Sequence, residues 1–480
     1  MLFCRRYIKW GDFMTYPVVR INRISLENMK CVKSGSIEFN ADDAIQNYKS
    51  SILGIYGQNG SGKTVVIEAL AILKAVLSGR PINARYLDSI SFGEESGSIE
   101  VEFSVITDNI TNYNVIYKCT LEQRNDPNEN VVNDDDVSKA EPTSMLIITD
   151  ETLKMSGTIN GNKYPMQNVI QSNVIQKHVR PKHKAKLIYG ENEKILKALE
   201  LHKFLAIYSS RSFIFSNQSI KAIVDNNITD FGSVIYYLRM FAEFRLFIVG
   251  GEMQKEIPLP INIVQRKDNR HIYGHIPFSL ESKTILPKKS IDVITSVLPS
   301  LNLVLSSMIP GLELSCKWEK LSLDEKDEEY EIELFASRNQ GSTFPLRHES
   351  LGIRKIISFL SLLIATYNDP AYVLVVDEFD SSVFEFLLGE LVSVLKDTGR
   401  GQLIFTSHNL RPLEMLDDIS ICFTTTDPER RYVKFKKKAT NNLRNMYFRV
   451  LSLGCKEADL YNSQSKYALA SAFREAGWDE

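Results

Sequence analysis

The sequence predicts an α/β fold built on a mainly parallel sheet and interrupted by a mixed α+β and helical insertion. Three observations carry that expectation. The apolar run Ile52-Leu53-Gly54-Ile55-Tyr56 leads through a glycine-rich turn into Thr64–Leu77, where Val66, Ile67, Leu70, Ile72, Leu73 and Leu77 recur at helical spacing. A second apolar run, Ala371 to Val376, ends in Asp377-Glu378, and a third covers Gln402 to Thr406. Continuous apolar strands suit the centre of a parallel sheet, where both faces are covered.

Taken in order, the chain opens with MLFCRRYIKWGDF, which is basic but lacks the apolar stretch of a signal peptide. Met1 and Met14 are both open as the start, and regular patterning begins just after Met14. Strands are expected at Val18 to Leu26 and Gly35 to Asn40, joined by a turn around Asn28–Ser34. From Phe92 to Ala206 the pattern alternates as in strands, broken by a solvated loop at 125–142 that contains Asp134-Asp135-Asp136. Residues 193–250 and 288–309 read as mostly helical. Eleven of the 16 prolines fall between Pro127 and Pro345, which excludes a long coiled coil there. A helix over 352–367 stops at Asn368-Asp369-Pro370, and another covers Phe384 to Lys396. The expected organisation is 1–91 and 341–480 as the two parts of one domain. Residues 92–340 are expected as an insertion for oligomer or partner contacts, strand-rich over 92–190 and mainly helical over 191–310.

Composition narrows the class. With 480 residues, 44% hydrophobic and 24% charged, the chain is globular and large enough for two or three domains. Its 57 basic and 59 acidic residues give a net charge of -2, so any nucleic-acid contact must be a local patch. The six cysteines form no C-x-x-C pair, which argues against a disulfide framework or a zinc site and fits a reducing cytoplasmic setting. No apolar run approaches the ~18–20 residues of a membrane span.

Five short motifs are candidates to carry chemistry. Gly57-Gln58-Asn59-Gly60-Ser61-Gly62-Lys63-Thr64 is a complete G-x-x-x-x-G-K-T, between a strand and a helix. Its glycines let backbone N–H groups close around phosphates at the positive end of the helix. Lys63 can reach the β- and γ-phosphates of ATP, and Thr64 can hold Mg²⁺. Asp377 and Glu378, at the end of an apolar strand, fall where ligands of α/β sheets bind. Asp377 is a candidate Mg²⁺ ligand, and Glu378 a candidate general base that orients water. His408, in Thr406-Ser407-His408-Asn409, closes the next buried strand and can donate to a γ-phosphate. Ser350 and Gly352, at a helix start, offer a hydroxyl and free N–H groups, and local sequence alone favours an ordinary N-cap. Asp380-Ser381-Ser382 is open between a turn and a functional loop.

In chain order the glycine loop, the Ser350-Leu351-Gly352 helix start, Asp377-Glu378, the Asp380 turn and His408 resemble an ABC-type P-loop ATPase head. The resemblance implies that Ser350 and Gly352 belong to a signature motif contacting the γ-phosphate of a partner subunit. It implies likewise that the Asp380 loop crosses between paired sites. Glu349-Ser350-Leu351-Gly352-Ile353-Arg354-Lys355 and its long distance from the P-loop are similar to the RecF, SMC-like and overcoming-lysogenisation (OLD) ATPases. So is the opening Leu26-Glu27-Asn28-Met29-Lys30, which adds Lys30 to the implied nucleotide-binding residues. Heads of this size also resemble the ATPase subunits of prokaryotic anti-phage systems of the PARIS kind. That likeness implies ATP and Mg²⁺ as cofactors, a homo-oligomer, a separate Toprim-type nuclease effector and a phage-encoded trigger protein. Only about 70 residues follow His408-Asn409, so a nuclease is expected on another polypeptide.

Two basic stretches stay open. Arg430 to Lys438 reads as a guarded edge strand or a contact for DNA or acidic protein. His178 to Lys186 reads as a solvated loop or a receiver for a DNA-mimicking protein. Three functions share the same phosphate-site residues: a phage-defence sensor, a DNA-repair or recombination ATPase that clamps DNA, and a scaffold with structural ATP. An adjacent gene for a small Toprim-type nuclease favours the first, and recombination genes favour the second.

Overall fold

The computed structural model describes residues 17–39, 48–108, 111–125, 144–176, 178–250, 256–265, 270–321, 329–339, 341–381, 383–434, 444, 447 and 466–476. Met14, the acidic loop at 134–136, Ser382 and Lys436–Lys438 lie outside the described residues. Strands β1 (Val18–Met29) and β2 (Val32–Glu38) form a tight hairpin, and β3 (Ser51–Tyr56) runs through the glycine loop into α1 (Lys63–Leu77). An antiparallel meander follows: β4 (Ser96–Ile106), β5 (Asn112–Asn125), β6 (Ser144–Ile159) and β7 (Asn162–Asn173). Four helices come next, α2 (Lys182–Tyr189), α3 (Glu193–Tyr208), α4 (Asn217–Asp225) and α5 (Asp230–Phe244), then the short strand β8 (Leu246–Val249). A smaller unit contains β9 (Glu256–Gln265), β10 (Arg270–Ser279), β11 (Thr284–Pro287), α6 (Lys288–Met308), β12 (Leu312–Lys320), β13 (Glu329–Arg338) and β14 (Phe344–Pro345). The remainder is α7 (Leu351–Asn368), β15 (Val373–Val376), α8 (Glu385–Thr398), β16 (Gln402–Thr406), α9 (Pro412–Met415), β17 (Ile421–Thr424), β18 (Tyr432–Val433) and α10 (Lys466–Ala476).

The α/β class expected from the sequence is the observed one. The central sheet has the order β18-β17-β3-β16-β15-β8, parallel except for the edge strand β18. Both of its faces are covered, which is why its strands read as apolar runs. On one face Leu53, Ile55, Val373, Val375 and Ile404 join a core with α1 and the antiparallel sheet. On the other, Ile52, Tyr56, Leu374, Val376 and Phe405 pack with α7 and α8. Register sets the carboxyl ends level: Thr406 pairs with Ile55, and Val376 with Phe405.

Two boundaries differ from expectation. Residues 92–340 are not one separate insertion, because β4–β7 extend the sheet begun by β1 and β2, with β1 pairing β4. Within the region expected to be mainly helical, β8 pairs with β15 and forms the edge of the central sheet, and β9–β11 are strands as well. Four apolar residues after a long helix carry too little pattern to show periodicity, so only the empty edge beside β15 decides their state. The stretch from His178 is not a solvated loop. Lys182–Tyr189 is helical, and Lys184 is buried with its ammonium donating to Gln167 and to the Asn168 carbonyl. Arg431 is buried as well, donating to the Thr425 and Cys31 carbonyls beside the edge strand β18.

Helix α7 joins two cores: Ile356, Phe359 and Leu362 face the central sheet, while Ile357 and Leu360 pack with α6, β12 and β13. By length and composition α6 and α7 are each apolar enough to cross a membrane, although neither is an unbroken apolar run: α6 carries Lys288, Lys289 and Asp292, and α7 carries Arg354 and Lys355. Burial between two cores is what makes α7 apolar around most of its circumference. Among the described residues Cys31, Cys119, Cys316 and Cys422 are free thiols.

Candidate nucleotide site

The fully buried strand β3 delivers the chain to Gly57 at the sheet's carboxyl edge. A Cβ at Gly57 would stand 1.8 Å from Thr424 Oγ1, so the close approach of β17 demands glycine there. Gly62, with φ +94°, occupies the left-handed region directly before α1. The Ser61 hydroxyl donates to Gln58 O at 2.6 Å and meets the Thr424 hydroxyl, which in turn reaches Tyr56 O at 3.2 Å. Asn59 and Gly60 remain exposed at the rim. Gly57→Ala is expected to push the loop off β17 at an overpacking cost of about 1–3 kcal/mol. Thermal unfolding together with nucleotide titration checks this, and an unchanged loop would leave both at wild-type values.

Lys63 is the first residue of α1 and is only 7% exposed. Its ammonium folds back onto the loop, donating to Gly57 O at 2.8 Å and Gln58 O at 2.9 Å. Burial pushes its pKa below the ordinary lysine value, and the nearby Asp377, Asp380 and Glu378 oppose that shift. Thr64 follows with an exposed side chain. Lys30, at the β1–β2 turn, pairs with Glu68 at 2.5 Å, one turn beyond Thr64 on α1.

Opposite the loop, β15 ends in Asp377, whose N–H donates to Val249 O of β8 at 2.8 Å. Thr406, closing β16, organises both acids through one hydroxyl. It donates to Asp377 Oδ1 at 2.5 Å and accepts the Glu378 N–H at 2.8 Å. Glu378 has φ +48° and an exposed side chain, and its carbonyl accepts from Lys355 Nζ at 2.6 Å and from Ser381 N at 2.9 Å. Asp380 Oδ2 accepts the N–H groups of His408 at 3.0 Å and Asn409 at 2.8 Å, which fixes the turn after β16. The His408 side chain is exposed.

Ser350 caps α7, its hydroxyl accepting from Ile353 N at 3.4 Å. The preceding Glu349 is buried in a two-bond pair with Arg338, both contacts 3.0 Å. Ser350 and Gly352 line a cleft of about 280 Å³ with Met308, Ile353, Phe384 and Leu387. Among the described residues no hydrogen bond joins either of them to the glycine loop. The structure therefore brings together the loop, Lys63, Asp377, Glu378, Asp380 and the turn at His408, and leaves Ser350 and Gly352 on a separate cleft.

The donor set suits a nucleotide with a hard cation. A rim of loop N–H groups, a lysine and a helix N-terminus complement phosphate charge. Thr64 and Asp377 are oxygen donors of the kind Mg²⁺ takes. Asp380 Oδ1 is buried without a hydrogen-bond partner beside these charges. Thr406 and Lys355 lie inside motifs that the sequence shows but that give them no role, and Thr424 lies in none. Thr406 is legible as a polar residue ending an apolar strand, whereas Thr424 and Lys355 have no local signal.

A parallel sheet with the glycine loop after one strand and an acidic pair after another defines a P-loop ATPase fold. The chain belongs to the AAA domain family, whose model matches residues 23–270. A second AAA domain model matches residues 167–414, and its description also names the AbiEii toxin and a type IV toxin–antitoxin system. Each covers just over half of the chain. No curated protein matches. Among solved structures, an SMC head bound to the C-terminal winged-helix domain of ScpA is 11% identical, covering 87% of this chain and 98% of that one at a TM-score of 0.40. The SMC head of Thermotoga maritima is 14% identical, covering 87% and 100% at 0.33. RecF with ATP is 12% identical, covering 88% and 100% at 0.35.

Proposed function

We propose that the chain is an ABC-type ATPase whose composite sites form between two heads, acting as the sensor and scaffold of a prokaryotic anti-phage complex. The observation that carries the ATPase reading is the convergence of three strand ends. Lys63 after β3, Asp377-Glu378 after β15 and Thr406 at the end of β16 meet at one edge. In this reading the loop N–H groups and Lys63 hold the β- and γ-phosphates. Glu378 takes a proton from the attacking water, and His408 donates to the γ-phosphate. Thr64 and Asp377 hold Mg²⁺, which when bound neutralises phosphate charge. Lys30 extends the same site along α1. Ser350 and Gly352, unused by their own loop, meet the nucleotide of the second head, next to its Asp380 turn. The complex works in the cytoplasm with a separate Toprim-type nuclease and a phage-encoded trigger. The family description that names a toxin–antitoxin system agrees with this setting, and the DNA-clamping alternative fits the same fold equally well.

Mixing variants tests the shared sites. If Ser350 only caps α7, Ser350→Ala costs about 1 kcal/mol of stability and leaves hydrolysis intact. In the proposed dimer, Ser350→Arg keeps the fold and ATP binding but stops turnover. Mixing inactive Lys63→Ala with inactive Ser350→Arg then restores part of the phosphate release, because one of two sites regains an intact loop and signature. No recovery in demonstrably mixed dimers counts against composite sites. For the cellular role, plaque formation is compared between cells carrying wild-type and Glu378→Gln chains. Protection that is absent in both, with hydrolysis stimulated by duplex DNA, would instead support the DNA-clamping alternative.

A further inference from the structure

We propose that Lys355 is a positioning residue for ATP hydrolysis, holding the backbone of Glu378 so that the signature helix α7 and the general base move as one unit. The inference rests on the reading of Glu378 as the base and adds a residue that no motif assigns.

Glu378 occupies the left-handed region at φ +48° without being glycine. Such a residue persists only where its surroundings over-determine it. Its N–H is bound to Thr406 Oγ1 at 2.8 Å, and its carbonyl receives Lys355 Nζ at 2.6 Å and Ser381 N at 2.9 Å. The first of these contacts comes from the sheet edge and the last from the turn that follows Glu378 itself. Thr406 belongs to the neighbouring strand β16 of the same sheet, and Lys355 alone arrives from a helix. It sits five residues beyond Ser350, on the rigid first turns of α7, so a displacement of the helix start carries the ammonium with it.

Packing does not explain a lysine here. Lys355 is 5% exposed and its neighbours Ile356 and Phe359 belong to the apolar core over the central sheet. An ammonium in this position forfeits hydration that an apolar side chain would not need. Burial lowers its pKa, and Glu378, Asp380 and Asp377 act against that shift. One cation thus faces three carboxylates and touches the peptide of the one that bears the base. In the paired heads, nucleotide held by Ser350 of one subunit would set α7, and through Lys355 set Glu378 of that same subunit.

Four variants separate this role from packing and from failure of the base assignment. Lys355→Met, which keeps the length and apolar stem, is expected to lower kcat by about 10²-fold, the scale of an ångström-level misplacement. Its ATP dissociation constant stays within about twofold of wild type, because the ground-state phosphate contacts are untouched. Lys355→Arg, which retains a charged donor, recovers hydrolysis to within about tenfold. The double variant Lys355→Met, Glu378→Gln is no slower than Glu378→Gln alone, since both losses act through one group. Wild-type kcat in Lys355→Met, or multiplicative losses in the double variant, overturns the proposal while leaving the base assignment standing. Wild-type hydrolysis in Glu378→Gln overturns both. Should Lys355→Met fail to fold, Lys355→Arg decides: normal ATP binding with hydrolysis lost overturns the role of a donor here.

Discussion

Lys63→Ala is expected to remove ATP binding and reduce phosphate release to background. Each charge-assisted bond from a lysine to phosphate contributes about 1.5–3 kcal/mol, and Lys63 is placed for more than one. Neither neighbouring lysine can substitute from the same direction. Lys355 is committed to the Glu378 carbonyl, and Lys30 is paired with Glu68. The substitution also leaves the Gly57 and Gln58 carbonyls without the ammonium they share. The Gln58 carbonyl is only partly buried and water takes the place of the ammonium there, whereas the buried Gly57 carbonyl left unpaired costs about 1–3 kcal/mol of stability. Isothermal titration with ATP and circular dichroism together make the check. A folded variant with unchanged affinity and turnover would sink the P-loop assignment.

Glu378→Gln is expected to keep ATP affinity and slow hydrolysis by about 10²-fold or more, because an amide takes no proton from water. The backbone at this position remains undisturbed by the exchange. Glutamine has the same stem, and the bonds that hold φ +48° use only main-chain atoms of residue 378. The slowed variant is therefore expected to accumulate as the ATP-bound dimer. Single-turnover phosphate release and light scattering with and without ATP read the two effects separately. Hydrolysis at the wild-type rate places the base on another residue, whereas slow hydrolysis by a persistent monomer counts against paired heads.

The parts of the site that lie along continuous chain are legible in the amino-acid sequence. Gly57 to Thr64 sits between a strand and a helix, and its glycine spacing has a local stereochemical cause in the left-handed Gly62 and the crowded Gly57. Strands β3, β15 and β16 are legible because a parallel sheet buried on both faces imposes an unbroken apolar run. Asp377 and Glu378 are legible as the first acids after such a run. The hairpin of β1 and β2 is legible from alternation, although its turn at Lys30 is tighter than the expected 28–34.

Long-range pairing is a different matter. That β8 completes the central sheet, that β4–β7 continue the sheet of β1, and that α7 lies between two cores are choices among surfaces far apart in sequence. Periodicity states which face of an element is apolar, not which partner covers it. The same limit hides Lys355 and Thr424. Each is a polar residue whose partner is separated from it by tens or hundreds of positions, 23 for Lys355 with Glu378 and 363 for Thr424 with Ser61. The sequence by itself thus determined the phosphate loop, the acidic strand end and the α/β class, because local sterics and two-sided burial leave their mark on neighbouring residues. The tertiary structure alone decided which strands adjoin and which side chains hold Glu378 in its strained conformation, because those contacts arise only when separate surfaces exclude water together.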